Sequence, residues 1–233
     1  HPDMALNEYA GYALCAGLEL NCARADLITR EEAALPEQVP FEFILAVQRF
    51  DRAGGRRVHM EEFAQAMGLT PGQKYGHELL QDYGQMLRVL NEQSARPAQD
   101  VKEFLGRMVA FILMGNTDAH LKNWALLYED GITPTLAPLY DPVSVSSYFK
   151  GSPKSYGHNR AIDEIVSNFG WDEMTQLVER GGFSRPSRLI RHCRDLVELA
   201  KATWPKTLED YAAPPSMVEE ISDRLAGKVA LAR

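Results

Sequence analysis

The chain has 233 residues, 45% of them hydrophobic, and a formal net charge of −7. That is enough apolar sequence for a sizeable core, in one large domain or one domain with a small lobe, and the negative balance excludes a global basic field for nucleic acid while leaving room for a local basic patch. The three cysteines, Cys15, Cys22 and Cys193, lack metal-ligand spacing and suit buried thiols in a reducing compartment. No apolar run reaches the ~18 residues needed to span a bilayer and no signal-peptide pattern opens the chain, so a cytoplasmic location is expected. The start, His1-Pro2-Asp3, has no initiator methionine, which leads us to expect part of a longer product.

Leu6, Tyr9, Ala10, Ala13 and Leu14 fall at helical spacing, and Gly17 is placed to end that helix. Phe41 to Phe50 is rich in β-formers and predicts a buried strand. Asp51 to Arg56 reads as a turn, with Arg57 to His59 as a short return strand. From about Met60 the pattern is helical. Leu79, Leu80, Tyr83, Met86, Leu87 and Leu90 form one apolar stripe. Val101, Phe104, Leu105, Met108 and Ile112 form another, with Asp100 and Glu103 resembling a capping pair and Gly115-Asn116 as the stop. Trp124 to Tyr128 predicts a strand, Glu129-Asp130-Gly131 a hairpin turn, and Thr133 to Leu139 an irregular partner limited by Pro134 and Pro138. Phe149 to Asn159 reads as a loop. Helices are expected over Ala161 to Phe169, Ser187 to Trp204 and Ser216 to Ala230. This order predicts an α+β fold: a small strand-containing part, then a mostly α-helical body interrupted by one hairpin.

The segment Gly115-Asn116-Thr117-Asp118-Ala119-His120-Leu121-Lys122-Asn123-Trp124 is a polar knot between apolar stretches. Phosphoryl transfer needs a carboxylate near the attacking hydroxyl, hard oxygen ligands for magnesium and cations on the phosphates. In protein kinases the base Asp precedes a metal-binding Asn by five positions. Asp118 precedes Asn123 by five, Asp141 follows after the hairpin, and Lys122 offers a positive charge. Each residue also has an ordinary reading. Asp118 could be a cap or turn residue, His120 a histidine bracing the loop, Lys122 and Glu8 solvated charges, and Arg49 with Asp51 a surface ion pair worth little. A metal-dependent hydrolase using Asp118, His120 and Asp141 fits the Asp-x-His spacing but leaves Asn123 and Lys122 without a purpose. His158 and the cysteines carry no assigned role.

The knot, followed by Ala137-Pro138-Leu139-Tyr140-Asp141, strongly resembles the HipA family of serine/threonine kinase toxins. Asn7-Glu8-Tyr9, Gln48-Arg49-Phe50-Asp51-Arg52, and His59-Met60-Glu61-Glu62-Phe63 followed by Gln73-Lys74-Tyr75 agree in order. The resemblance covers residues 1–145 well and the C-terminal helices loosely. It implies a protein-kinase-like fold, with residues 1–70 as the remainder of an N-terminal lobe including the hinge and 71–233 as a helical C-terminal lobe. It also implies an ATP- and Mg2+-dependent kinase acting on a protein, such as an aminoacyl-tRNA synthetase. The implied partners are a HipB-like helix-turn-helix antitoxin and, mainly through it, operator DNA, with no membrane. By position, Asp118 looks like the catalytic base and Asn123 and Asp141 like the magnesium ligands. His120, Leu121, Lys122 and Asn123, with Tyr140, Asp141, Pro142 and Val143, look like the lining of the ATP site. Gln48, Arg49 and Phe50 look like the hinge that meets adenine through its backbone and the Phe50 ring. Gln48 departs from the family's usual Glu. The family's phosphate loop and ATP-anchoring lysine would precede His1, and Glu8 is the expected partner of that lysine. The rival reading is a catalytically inactive kinase-like module that binds an antitoxin or DNA.

Overall fold

Helix α4 (Pro97–Met114) is the strut on which the molecule is assembled. Pro97 opens it where a missing N–H costs nothing, and Gly115 closes it in left-handed backbone at φ 73°. Every residue from Phe104 to Met114 is buried, so the helix is enclosed on all sides. Arg107 is buried there because its guanidinium donates to Glu103 at 2.8 Å and to the Asn21 carbonyl at 3.3 Å. The computed structural model describes residues 3–70, 78–149 and 166–233.

Helix α1 (Met4–Gly17) ends where expected. Its buried face, however, runs through Asn7, Ala10, Gly11, Leu14 and Cys15, whereas Leu6, Tyr9 and Ala13 are half-buried. Strands β1 (Ala25–Thr29) and β2 (Phe43–Val47) pair antiparallel with Leu27 opposite Leu45 and pack on α1. The strand expected over 41–50 is therefore shorter, and it is half-buried rather than buried, because a two-stranded ribbon has only one covered face. Strands β3 (Arg52–Ala53) and β4 (Arg56–Arg57) close a small hairpin over Gly54-Gly55, both at positive φ. Met60 to Glu62 are not helical. They lie in β5 (His59–Glu62), which pairs with β6 (Ala125–Tyr128), Met60 opposite Leu127. Only α2 (Phe63–Ala66) is helical before the described chain breaks at residue 70. The predicted hairpin is present: β6 pairs with β7 (Thr135–Leu136), completing a three-stranded sheet of order β5-β6-β7.

Helix α3 (Leu79–Gln93) packs on α4 and on α5 (Trp171–Arg180). Helix α6 (Ser187–Asp210) outruns the expected end at Trp204, continuing through Pro205 because Trp204 and Leu208 on either side of it are both buried in the core. Helix α7 (Pro215–Asp223) is shorter than expected and gives way to a π turn, with Gly227 at φ 105°. Residues 166–168 are helical, as expected, while 161–165 and loop residues 150–159, including His158, fall outside the described residues. One core cluster runs from Ala10 to Ala232 and includes Phe104, Trp124 and Trp204. A satellite of Ala125, Leu127 and Ala137 is covered by Phe50, Val58, Met60 and Tyr140. Among the described residues no helix is long and apolar enough to cross a membrane.

Candidate active site

The polar knot follows directly from the left-handed turn at Gly115. Asn116 donates its backbone N–H to the Phe111 carbonyl at 2.9 Å, capping α4. Two tight turns follow, His120 N–H to the Asp118 carbonyl at 2.7 Å and Asn123 N–H to the His120 carbonyl at 2.8 Å. The loop is pinned from behind by its own carbonyls. The Ala119 carbonyl accepts from the Tyr83 hydroxyl and from Trp124 Nε1 at 3.3 Å. The Leu121 carbonyl accepts from the Ala64 amide at 3.2 Å, and the Lys122 carbonyl from the Tyr140 hydroxyl at 2.7 Å. Leu121 itself is a plug, 1% exposed, pointing into the core. Trp124 packs against Phe104 and Phe111. With the backbone fixed in this way, little freedom remains for the Asp118, His120 and Asn123 side chains.

Those side chains meet Asp141 across the β6–β7 hairpin. The Asn123 amide nitrogen donates to the Asp118 carbonyl at 2.9 Å and to Asp141 Oδ2 at 2.8 Å. Asn116 does a similar task one layer down, donating to the Asp141 carbonyl at 3.2 Å and accepting from the Asp118 N–H at 3.2 Å. His120 Nε2 lies 3.9 Å from Asp118 Oδ1, with His120 nearly buried and Asp118 half exposed. Asp141 sits in left-handed backbone at φ 59°. Its N–H donates to the Tyr12 hydroxyl at 3.3 Å, so α1 holds it from the other side. Gly11 makes that approach possible: a Cβ there would lie 1.8 Å from the Pro142 carbonyl oxygen. Pro142 is buried in this contact and Val143 is half-buried beside it. Asn7, fully buried, grips the same segment, accepting from the Ser144 N–H at 2.8 Å and donating to Ser147 Oγ at 3.1 Å.

The electrostatics are those of a site short of positive charge. Burial, and then the neighbouring Asp141, push the Glu8 carboxyl up to about 7. Burial and then Asp118 push Asp141 above the usual carboxylate range, with His120 and the Asn123 hydrogen bond pulling the other way. Carboxylates crowded in a partly dry pocket call for a cation. The oxygen donors of Asn123 and Asp141 are the hard kind magnesium takes when it keeps water and phosphate oxygens for its remaining positions. Among the described residues no three His, Cys, Asp or Glu side chains converge into a metal-binding group.

The hinge candidates are arranged differently. The Gln48 N–H donates to the Arg24 carbonyl at 2.8 Å, and both Gln48 and Arg49 are exposed. Arg49 forks onto Asp51, Nε to Oδ1 at 2.8 Å and Nη2 to Oδ2 at 2.6 Å, and Arg52 pairs with the same carboxylate. Asp51 is 3% exposed while the Arg49 side chain keeps 62% of its surface in solvent, so the ion pair expected at the surface is buried on its acidic side. Phe50 lies 5.6 Å from Tyr140, ring centroid to ring centroid, linking the hinge candidates to the Asp141 segment. Gln73, Lys74 and Tyr75 lie outside the described residues. The sequence reading missed Tyr12 and took Tyr83 for one residue of an apolar stripe, without the loop contact its hydroxyl makes. Asn7 carried a signal, an amide on the inward face of an apolar helix.

Residues 1–204 match the model of the HipA-like C-terminal domain. The chain belongs to that family. Among curated relatives, this HipA-like domain is 36% identical over 160 residues to the Sinorhizobium fredii protein named "Putative kinase Y4dM", covering 69% of the chain and 37% of the relative. It is 33% identical over 200 residues to "Putative kinase Y4mE" of the same organism, covering 81% and 46%. The domain thus spans less than half the length of these relatives. In three dimensions it resembles HipA in the Shewanella oneidensis MR-1 complex of HipA, HipB and operator DNA, with a TM-score of 0.70 at 18% identity over 97% of this chain and 55% of that one. It also resembles the Helicobacter pylori proinflammatory kinase CtkA, with a TM-score of 0.58 at 16% identity over 96% and 83%. The HipA-like domain therefore has a kinase-like fold of mixed helix and strand.

Proposed function

We propose that this HipA-like domain is the body of an ATP- and magnesium-dependent serine/threonine protein kinase in a toxin–antitoxin system. The observation that carries the reading is the Asn123 amide held at 2.8 Å from Asp141 and 2.9 Å from the Asp118 carbonyl, which locks the three residues into one constellation. Asp118, on the exposed rim, orients the target hydroxyl and takes its proton. Asn123 and Asp141 hold magnesium, which when bound neutralises charge on the phosphates. Lys122 adds a positive charge beside the transferring group. His120, Leu121 and Tyr140 to Val143 shape the nucleotide site, and Gln48 to Phe50 meet adenine as a hinge between residues 1–70 and the helical lobe of 71–233. The target is a cellular protein, such as an aminoacyl-tRNA synthetase. The partners are a HipB-like helix-turn-helix antitoxin and, mainly through it, operator DNA, in the cytoplasm. The organisation of the Shewanella neighbour, crystallised with HipB and operator DNA, supports that assignment of partners.

The test is calorimetric titration of ATP into the full-length protein with and without magnesium, beside transfer of labelled γ-phosphate to protein. Asp118→Ala is expected to keep magnesium-dependent ATP binding and to lose transfer by about 10²–10⁴-fold. Asp141→Ala is expected to lose the magnesium dependence and the transfer together. Wild-type transfer in either folded variant overturns the proposal.

A further inference from the structure

The chain beyond residue 204 lies outside the family match, yet it reaches the start of the catalytic loop. Arg224, in the turn after α7, is 0% exposed. Its Nε donates to Glu220 Oε1 at 2.7 Å, its Nη1 to the Ile112 carbonyl at 3.1 Å and its Nη2 to Ser146 Oγ at 3.0 Å. Glu220, 1% exposed, also receives Lys228 Nζ at 2.6 and 2.8 Å. The Ile112 carbonyl is one of the last four of α4 and takes, besides Arg224, a long bond from the Gly115 N–H at 3.4 Å. The Ser146 N–H closes the circuit on the Gly115 carbonyl at 3.0 Å. A Cβ on Gly115 would lie 2.8 Å from Arg224 Nε and 2.9 Å from both Arg224 Cζ and Ser146 Cβ, so the guanidinium rests against bare glycine backbone.

Gly115 stands three residues before Asp118, and Ser146 five after Asp141. The guanidinium thus ties together the two backbone segments that carry the two carboxylates. Desolvating a charged pair is costly, and well-packed apolar side chains often stabilise a core as well or better. A planar fork with donors in three directions does what an apolar residue cannot: it fixes distance and angle between the segments. We infer that Arg224, oriented by Glu220, is a positioning residue that sets the separation of Asp118 and Asp141. Its catalytic consequence rests on the kinase reading above.

Two variants of the full-length protein test this. Arg224→Lys keeps a charge opposite Glu220 but cannot reach the Ile112 carbonyl and Ser146 Oγ together. Ser146→Ala leaves the ion pair whole and removes one anchor. Misplacement of this kind lowers kcat about 10–100-fold, with the smaller loss in Ser146→Ala. Hydrogen exchange read by mass spectrometry is expected to accelerate over residues 115–123 and not over α3 or α6. Wild-type loop exchange in folded Arg224→Lys overturns the inference, as does acceleration spread evenly through α3 and α6, which would mean general destabilisation. If Asp118→Ala, run alongside, retains full transfer, the kinase reading falls and loop exchange still decides the positioning role.

Discussion

Asp141 accepts a left-handed backbone at φ 59°, which costs a non-glycine residue about 1–2 kcal/mol. It stays there because its N–H, its carbonyl and its carboxylate are each held by a different element: α1 through Tyr12, the end of α4 through Asn116 and the following loop through Asn123. Asp51 shows the opposite economy. The hydrogen bond from Arg49 draws its carboxyl down to about 2 from 3.8, against the effect of burial and with help from Arg52. A carboxyl with a depressed folded pKa contributes stability that is fully present above its unfolded value and is lost as pH falls through the folded one. Asp51 therefore loses its contribution between 3.8 and about 2. Urea midpoints of the wild type and of Asp51→Asn, measured across that window, are expected to converge as pH falls. Parallel curves would show that the Arg49 fork stabilises nothing. Both arginines are solvent-exposed, so salt should shrink the difference.

Elements built from local signals were readable in the sequence, and elements built from distant partners were not. The apolar stripe of α4 and its stop at Gly115 lie within one stretch of chain, as does the turn at Glu129-Asp130-Gly131, where Asp130 Oδ1 accepts from the Ile132 and Thr133 amides. Strand β5 has no such local mark. Met60 to Glu62 are extended because β6, far downstream, offers them a ladder, and a helical pattern in their own sequence loses to it. Helix α5 was legible and overlooked: Trp171, Met174, Leu177 and Val178 recur at helical spacing, and Glu173 caps Gly170 at 2.9 Å. The site divides the same way. Asp118, Asn123 and Asp141 are marked by spacing, whereas Tyr12 reaches Asp141 from 129 residues upstream. The tightest of these element contacts is α1 against the Asp141 segment. In Gly11→Ala the new methyl cannot coexist with the Pro142 carbonyl 1.8 Å away, so α1 or the segment must move. A loss of about 1–3 kcal/mol of unfolding free energy is expected, together with weaker magnesium–ATP binding, because the displaced group adjoins Asp141. Unchanged binding in the folded variant would mean that α1 does not set the geometry of that site.

At the scale of the whole molecule, the C-terminal segment carries more of the structure than the family match implies. The match ends at residue 204, but Leu208, Met217, Ile221, Val229 and Leu231 belong to the core cluster that also holds Ala10 and Leu14 of α1. Trp204, the last residue of the match, reaches the same helix, its Nε1 donating to the Leu14 carbonyl at 3.1 Å. Met217, Ile221, Val229 and Leu231 are each 0% exposed. Burying four such side chains contributes roughly 6–12 kcal/mol, which is comparable to the entire 5–15 kcal/mol by which a domain is usually stable. Removing residues 214–233 therefore should not leave a smaller folded body. The truncated protein is expected to lose near-ultraviolet dichroism and its sigmoidal thermal transition, because α4 and α6 each lose a packing partner at once. A truncated protein that still melts cooperatively within a few degrees of the parent would show that the C-terminal segment is an appendage. Arg224 would then be positioning a loop that the rest of the core already holds.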